Sequence, residues 1–549
     1  MSLKIKKIII IFFAVFITLN SCKRNAKPLV PDLRFVMVSE PCNQVIYSIN
    51  SDNLYRPWVI SNAFSGKPAI RPFILPKNME LFFQTESCDC NTVALYDFDK
   101  DQQNRKSTYF YFIADHKLIN ISQKYHIKIT ESSFSPVDSI YAYLDDSSKL
   151  QMLNYKTDKF IQVRNPDNVK FHYITWSTKG HYIYLEDDSS SLWKYYKDLG
   201  RFKLLWKSPR KSEYSKELTL SKDNEDEFYF RSDHESNFTQ LYKYSPSSGA
   251  KLLFTSNDQK SLYIPVKNDS LLFKSFTNDL LVLKLFYKGK LISLSPQTGV
   301  LYDYHPGKYP IIVYSDNKHP YSVYKMAGDT LVNLIKGIND TMPNPKIVRN
   351  NYGMNNLIYF PNDHAKKWVV LLHGGPHQEV FNKYDRYIAY LLSSNIGVIN
   401  LNYPGSAGTG RKYEMRNNPE LKSIELKSIA DDLAQIKNQY KMIGSFMMLG
   451  VSYSAQISHL YSLTHSDVTG LIDLSGYGAM PIRKDIPILY IYGKNDFALD
   501  NKERIQMIQA GVDKGNAKTC VVDDEGHVIA RKNNTLKVLQ NIVDFINSN

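Results

Sequence analysis

GVSYSAQ, Gly450 to Gln456, directly follows the apolar run FMML. Glycine, any residue, serine, any residue and a closing glycine is the pattern of a strained strand-to-helix turn that lifts a serine hydroxyl above a sheet. Here the closing position is Ser454. What Ser452 can do therefore depends on the residues that accompany it.

Serine is a poor nucleophile until a neighbouring base takes its proton, and that base needs a carboxylate to fix its tautomer and stabilise the imidazolium. Both follow in the sequence. PILYIYGKND places Asp496 just beyond an apolar run, and CVVDDEGH places His527 just beyond the next. The order serine, aspartate, histidine on successive strand ends is that of an α/β-hydrolase. A developing oxyanion also needs preorganised backbone donors. HGGP, His373 to Pro376, directly follows the first strong apolar run of this region, and its two glycines let the chain turn and expose N–H groups. The expected donors are the N–H groups of Gly375 and of Tyr453, the residue after the candidate nucleophile; His373 is expected to be structural.

Outward from these motifs, the chain from Lys367 alternates apolar runs such as KWVVLLHGG, IGVINLNYPG and TGLIDLSG with helical patterns such as IADDLAQIKNQY, as buried parallel strands with crossover helices do. Leu536, Leu539, Val543 and Ile546 close it at helical spacing. The earlier region reads differently. FSPVDSIYAYLDDSSKLQMLNY from Phe134, WSTKGHYIYLEDDSSSLWKYY from Trp176 and LSKDNEDEFYFRSDHESNFTQLYKY from Leu220 recur at spacings of 42 and 44 residues. Each unit offers short strands of alternating aromatics separated by turns, and fainter units begin near Val38, Phe82, Val266 and Ser293. Four short strands per forty-odd residues is the signature of a β-propeller blade, here about seven of them. The expected organisation is a leader over 1–21, a tether over 22–37, a β-propeller over 38–338 and an α/β-hydrolase domain over 339–549.

The 549 residues are 43% hydrophobic and 22% charged, ordinary globular values, and 39 tyrosines suit a strand-rich chain. The net charge of +14 comes from lysines and arginines scattered among acidic residues, which argues against a nucleic-acid partner. Lys4, Lys6 and Lys7 precede the 12-residue apolar run IIIIFFAVFITL, short for a membrane span and of signal-peptide length. It ends in Leu19-Asn20-Ser21-Cys22, which resembles a bacterial lipobox and implies lipid attachment at Cys22. Lys23 in place of aspartate favours the outer membrane. A bridge from Cys42 to Cys88 or Cys90 is open in an exported chain. Neither a metal site nor a cofactor is expected.

HGGPH at 373–377, NYPGSAGTGRKY at 402–413, GVSYS at 450–454, YGKNDFAL at 492–499 and DEGHVI at 524–529 together resemble the prolyl oligopeptidase family of serine peptidases. The resemblance is specific over the last 180 or so residues and architectural before them. It implies Ser452 as nucleophile, His527 as general base and acid, Asp496 as its orienter, and small peptides as substrates, with the propeller limiting entry. Three features depart from the family. Ser454 replaces the elbow glycine, Pro404 stands where the family commonly has arginine, and only 44 residues separate Ser452 from Asp496, too few for the insert that walls the family's specificity pocket. An esterase or other acyl hydrolase, and a non-catalytic binding lipoprotein, are the alternative readings.

Overall fold

The computed structural model describes residues 33–549 apart from short segments, the longest being 99–104, 210–217 and 336–340. The leader, Cys22 and the beginning of the expected tether lie outside the described residues. The remainder of that tether is not a tether: Leu33–Ser39 is a strand, paired antiparallel with Gln44–Ser51.

Among the described residues, the chain up to Asn333 forms seven four-stranded antiparallel units, at 33–72, 82–120, 131–161, 171–206, 219–254, 259–293 and 300–333. The sixth and seventh join through a parallel pairing of Leu281 with Val300. Aromatic residues make cross-strand pairs within units, as where Phe228 faces Tyr244 with stacked rings 4.8 Å apart and Phe230 faces Tyr242. A single unit cannot bury both of its faces, so neighbours share apolar clusters. Val93 and Leu95 of the second unit pack with Ile46 and Val59 of the first, and Phe110 of the second with Tyr141 of the third. Later units continue in the same way. The series returns on itself: Val45, Tyr47 and Ile60 of the first unit share a cluster with Ile311 and Val323 of the seventh.

The sequence repeats start one strand late, since Phe134, Trp176 and Leu220 are each the last residue of a unit's first strand. Ser293 does not begin a unit. It ends the sixth, because the hairpin that pairs Lys284–Tyr287 with Lys290–Ser293 holds that stretch to its predecessor, and the seventh unit starts at Val300.

The second region carries eight strands: β1 (Lys346–Arg349), β2 (Asn355–Tyr359), β3 (Lys367–Leu372), β4 (Ile396–Leu401), β5 (Phe446–Val451), β6 (Val468–Leu474), β7 (Ile488–Gly493) and β8 (Ala517–Val522). They lie in the order β1-β2-β4-β3-β5-β6-β7-β8. Pairing is antiparallel from β1 through β4 and parallel from β4 to β8. Helices α1 (Arg386–Ser393) and α5 (Lys532–Ser548) cover one face, where Ile388, Val538 and Ile542 pack on Val369, Leu449 and Ile491. Helices α2 (Lys422–Gln439), α3 (Tyr453–Ser462) and α4 (Lys502–Asp513) cover the other, where Leu433, Ile457 and Ile508 meet Val370, Met448 and Tyr490. Successive strand residues thus serve opposite cores, which is why these strands read as continuous apolar runs. Cys42 and Cys90 are disulfide-bonded, tying the first antiparallel unit to the second; Cys88 is exposed and free. No helix among the described residues is long and apolar enough to cross a membrane.

Candidate active site

The carboxyl ends of the parallel strands face the antiparallel units, and several bonds cross between them. Asp233 pairs with Arg411 at 3.1 Å, Asn237 accepts from the backbone of Arg411 and Lys412, Lys383 Nζ donates to Tyr302, and Arg531 pairs with Glu80 at 2.9 Å. The candidate site lies on this covered edge.

Ser452 follows β5 at once. Its backbone, at φ 54° and ψ −112°, is in a region that non-glycine residues rarely occupy, as strain held at a functional turn would require. Two close approaches hold the turn. Ser452 N–H donates to Leu474 O at 2.8 Å, and Gly450 lets α3 descend onto β5: a Cβ there would stand 2.5 Å from Ser454 O. Ser454, the departure from the elbow pattern, is fully buried. Its hydroxyl donates to Leu372 O at 2.8 Å and accepts from Val451 N–H at 2.8 Å, so it stitches the turn to the end of β3. A small hydroxyl satisfies backbone groups there and does not crowd the elbow.

Three residues past β7 stands Asp496, and five past β8 His527. Ser452 Oγ lies 2.8 Å from His527 Nε2, and His527 Nδ1 lies 2.9 Å from Asp496 Oδ1. Since Asp496 can only accept as a carboxylate, Nδ1 carries the proton and Nε2 is left to take one from the serine. Asp496 is buried and its Oδ1 also accepts from Ala498 N–H, which fixes the carboxylate by capping the short 3₁₀ helix Phe497–Asp500. Phe497 sets its ring centroid 4.5 Å from the imidazole. The three residues read from separate motifs are one hydrogen-bonded chain.

The HGGP turn passes directly over the elbow: a Cβ on Gly374 would be 3.6 Å from Ser452 Cβ, and Gly375 adopts φ 122°. His373 faces inward and is locked, with Nδ1 donating to Gly374 O at 2.8 Å and Nε2 accepting from Ser406 Oγ at 2.7 Å. Burial pushes its pKa down to about 4, so the ring is neutral. It stacks 4.5 Å from Tyr403, whose hydroxyl donates to His373 O. Tyr403 and Ser406 thus supply local hydrogen bonding around Pro404.

A cavity of about 480 Å³ opens beside Ser452. From the segment between Ser452 and Asp496 only Leu474 and Ser475 reach it; its other wall comes from Gln378 to Ile388, after the HGGP turn. The connection 475–487 contains no helix, and Asp473 at its root holds it from beneath by accepting from Gly476 N–H while paired with Arg504 and His459. Burial raises the pKa of Asp473, but those two partners outweigh it and hold it at about 2. Sequence reading missed Glu425, fully buried on α2, which accepts from the Tyr453 hydroxyl at 2.8 Å and whose pKa burial lifts to about 7. It also missed Glu379, two residues beyond the quoted HGGPH.

Solved structures similar to this one share both regions. An acylaminoacyl peptidase in complex with Z-Gly-Gly-Phe-chloromethyl ketone superposes with a TM-score of 0.70 at 12% identity, over 94% of this chain and 95% of that one. A puromycin-hydrolyzing peptidase of Mycobacterium tuberculosis reaches 0.73 at 13% identity, over 94% of each. A prolyl endopeptidase gives 0.72 at 11%, over 94% of this chain and 88% of that one. The chain has the fold of the prolyl oligopeptidase family. No family model and no curated protein matches the sequence. Within this family fold, no group of three or more histidine, cysteine or acidic side chains suited to a metal occurs among the described residues.

Proposed function

We propose that the protein is a lipid-anchored serine peptidase of the cell envelope that hydrolyses small peptides through an acyl-enzyme. The observation that carries the reading is the continuous chain from Ser452 Oγ through His527 to Asp496, on a strained turn and beside a cavity. In this mechanism His527 Nε2 takes the serine proton as Oγ attacks the scissile carbonyl, Asp496 stabilises the imidazolium through Nδ1–H, and the same proton passes to the leaving amine. Water then enters by the same route in reverse, and the acyl group departs as a free acid. The N–H groups of Gly375 and Tyr453 receive the oxyanion.

The seven antiparallel units form a closed propeller, a reading supported by the apolar cluster that the first unit shares with the seventh. It lies over the strand ends and admits only small or extended substrates, in keeping with the bonds that Asp233, Tyr302 and Glu80 make to the second region. The Cys42–Cys90 bridge suits an oxidising compartment outside the cytoplasm, and the Leu19 to Cys22 motif supplies the anchor, toward the outer membrane. Cys22→Ser is expected to release the chain from the membrane fraction; sedimentation with membranes after a salt wash would count against the anchor. For the activity, a peptide-library digest of purified protein should show cleavage of short peptides and none of folded proteins.

A further inference from the structure

The cavity beside Ser452 holds a carboxyl group that the triad does not use. Glu379 lies four residues beyond Gly375, on a stretch fixed at both sides: Gln378 O accepts from Ala407 N–H at 2.8 Å, and Val380 N–H donates to Asn402 Oδ1 at 3.0 Å. Its Oε2 is withdrawn from solvent and has no hydrogen-bond partner among the described residues. A carboxyl left so is costly unless something is meant to meet it. Burial pushes its pKa well above the usual carboxylate range, and Asp279 and Glu414 add to the push with charge of the same sign. Both of these are themselves buried, and each already receives a donor, Asn355 Nδ2 and Gly408 N–H respectively. The NYPGSAGTGRKY stretch makes room for the group: a Cβ on Gly408 would stand 2.5 Å from Glu379 Oε2. Of these three neighbouring carboxyl groups Glu379 is the one that lines the reaction cavity, and its Oε2 has no hydrogen-bond partner among the described residues.

We propose that Glu379 receives an ammonium group of the substrate and so fixes the length of chain that reaches Ser452. The inference rests on the peptidase reading. An entering ammonium supplies the opposite charge, Glu379 ionises by releasing its proton to solvent, and its carboxylate gains a charge-assisted hydrogen bond. Two sources carry such an ammonium: a free N-terminus, which would make the enzyme trim peptides from that end, and a lysine side chain near the scissile bond.

Three p-nitroanilides separate these cases: Ala-Ala-p-nitroanilide, its N-acetyl form and N-acetyl-Lys-Ala-p-nitroanilide. At least one cationic substrate is expected to exceed the uncharged one in kcat/KM by about 30-fold, the scale of a buried charged partner, mostly through KM. The cationic substrate that is favoured identifies the source of the ammonium. Glu379→Gln is expected to bring that ratio to within about threefold of unity. A wild-type enzyme blind to the cation, or a Glu379→Gln enzyme that loses all three substrates equally, overturns the proposal. A measurement without any variant serves as well: alaninamide or lysinamide should protect Ser452 from a fluorophosphonate at tenfold or more lower concentration than N-acetylalaninamide, and equal protection by all three overturns it. Failure of the peptidase reading is distinct, since it appears as an unlabelled Ser452 in the wild-type protein.

Discussion

The two regions of this chain are built on opposite terms. In the antiparallel units each sheet has aromatic and aliphatic side chains on both faces and owes its burial to its neighbours, so that Phe110 and Tyr141 belong to different units but one cluster. In the parallel sheet the strands are buried by their own helices, and Gly375, Ser452, Asp496 and His527, which carry the proposed chemistry, lie where they end. The first arrangement distributes stability over many interchangeable contacts and leaves no single residue decisive. On the proposed reading the second concentrates function in a few residues, and their replacement is expected to leave the packing untouched. Mutations in the two regions should therefore separate activity from stability.

The largest effect is expected at the strand ends. His527→Ala should lower kcat by about 10⁴ to 10⁶-fold, and Asp496→Asn by about 10⁴-fold, because the imidazole would lose its tautomer, with thermal unfolding near that of the wild type. A fall of less than tenfold for both would remove them from the reaction. In the elbow itself, Gly450→Val should cost about 3 kcal/mol or more, since even a Cβ would stand 2.5 Å from Ser454 O; denaturant titration measures it. Across the seam of the antiparallel units, Ile311→Ala should cost about 2 to 4 kcal/mol in the same titration while kcat on a small substrate changes little. If activity fell in step with stability there, the two regions would not be separable as described.

A pH measurement sharpens the contrast from the other side. Glu425 is buried behind Tyr453, and its folded pKa of about 7 exceeds the ordinary 4.5, so the folded chain holds the proton that the unfolded chain releases. Stability from this group is accordingly full below about 4.5 and is lost as pH rises through about 7. Glu425→Gln should flatten that window by up to about 3 kcal/mol. The smallest effect belongs to Ser454→Ala, which removes the donor to Leu372 O and the acceptor for Val451 N–H at a cost of about 1 to 2 kcal/mol.

The same contrast explains what could be read from the sequence. Ser452, Asp496 and His527 were legible because each closes an apolar run, and strand ends in a parallel sheet converge on one edge. The repeats were legible through period and aromatic alternation, but their phase was not, since Phe134, Trp176 and Leu220 end first strands whose earlier residues follow no shared pattern. Leu33–Ser39 escaped notice because its partner, Gln44–Ser51, is needed to make it a strand. The wall of the cavity lay beyond sequence reading as well: a shortened segment after Ser452 shows that material is missing there, and only the fold brings Gln378 to Ile388 alongside. Glu379 and Glu425 carried no signal, because a glutamate beside a turn or on a helix is ordinarily solvated.

The central claim is that Ser452 is the nucleophile, and intact-mass analysis after fluorophosphonate treatment tests it most directly. The account predicts one adduct on the wild-type protein, mapping to the peptide that contains Ser452, and none on a folded Ser452→Ala variant. Labelling of Ser452→Ala to the same extent, or a folded wild-type protein that takes no label, would contradict it.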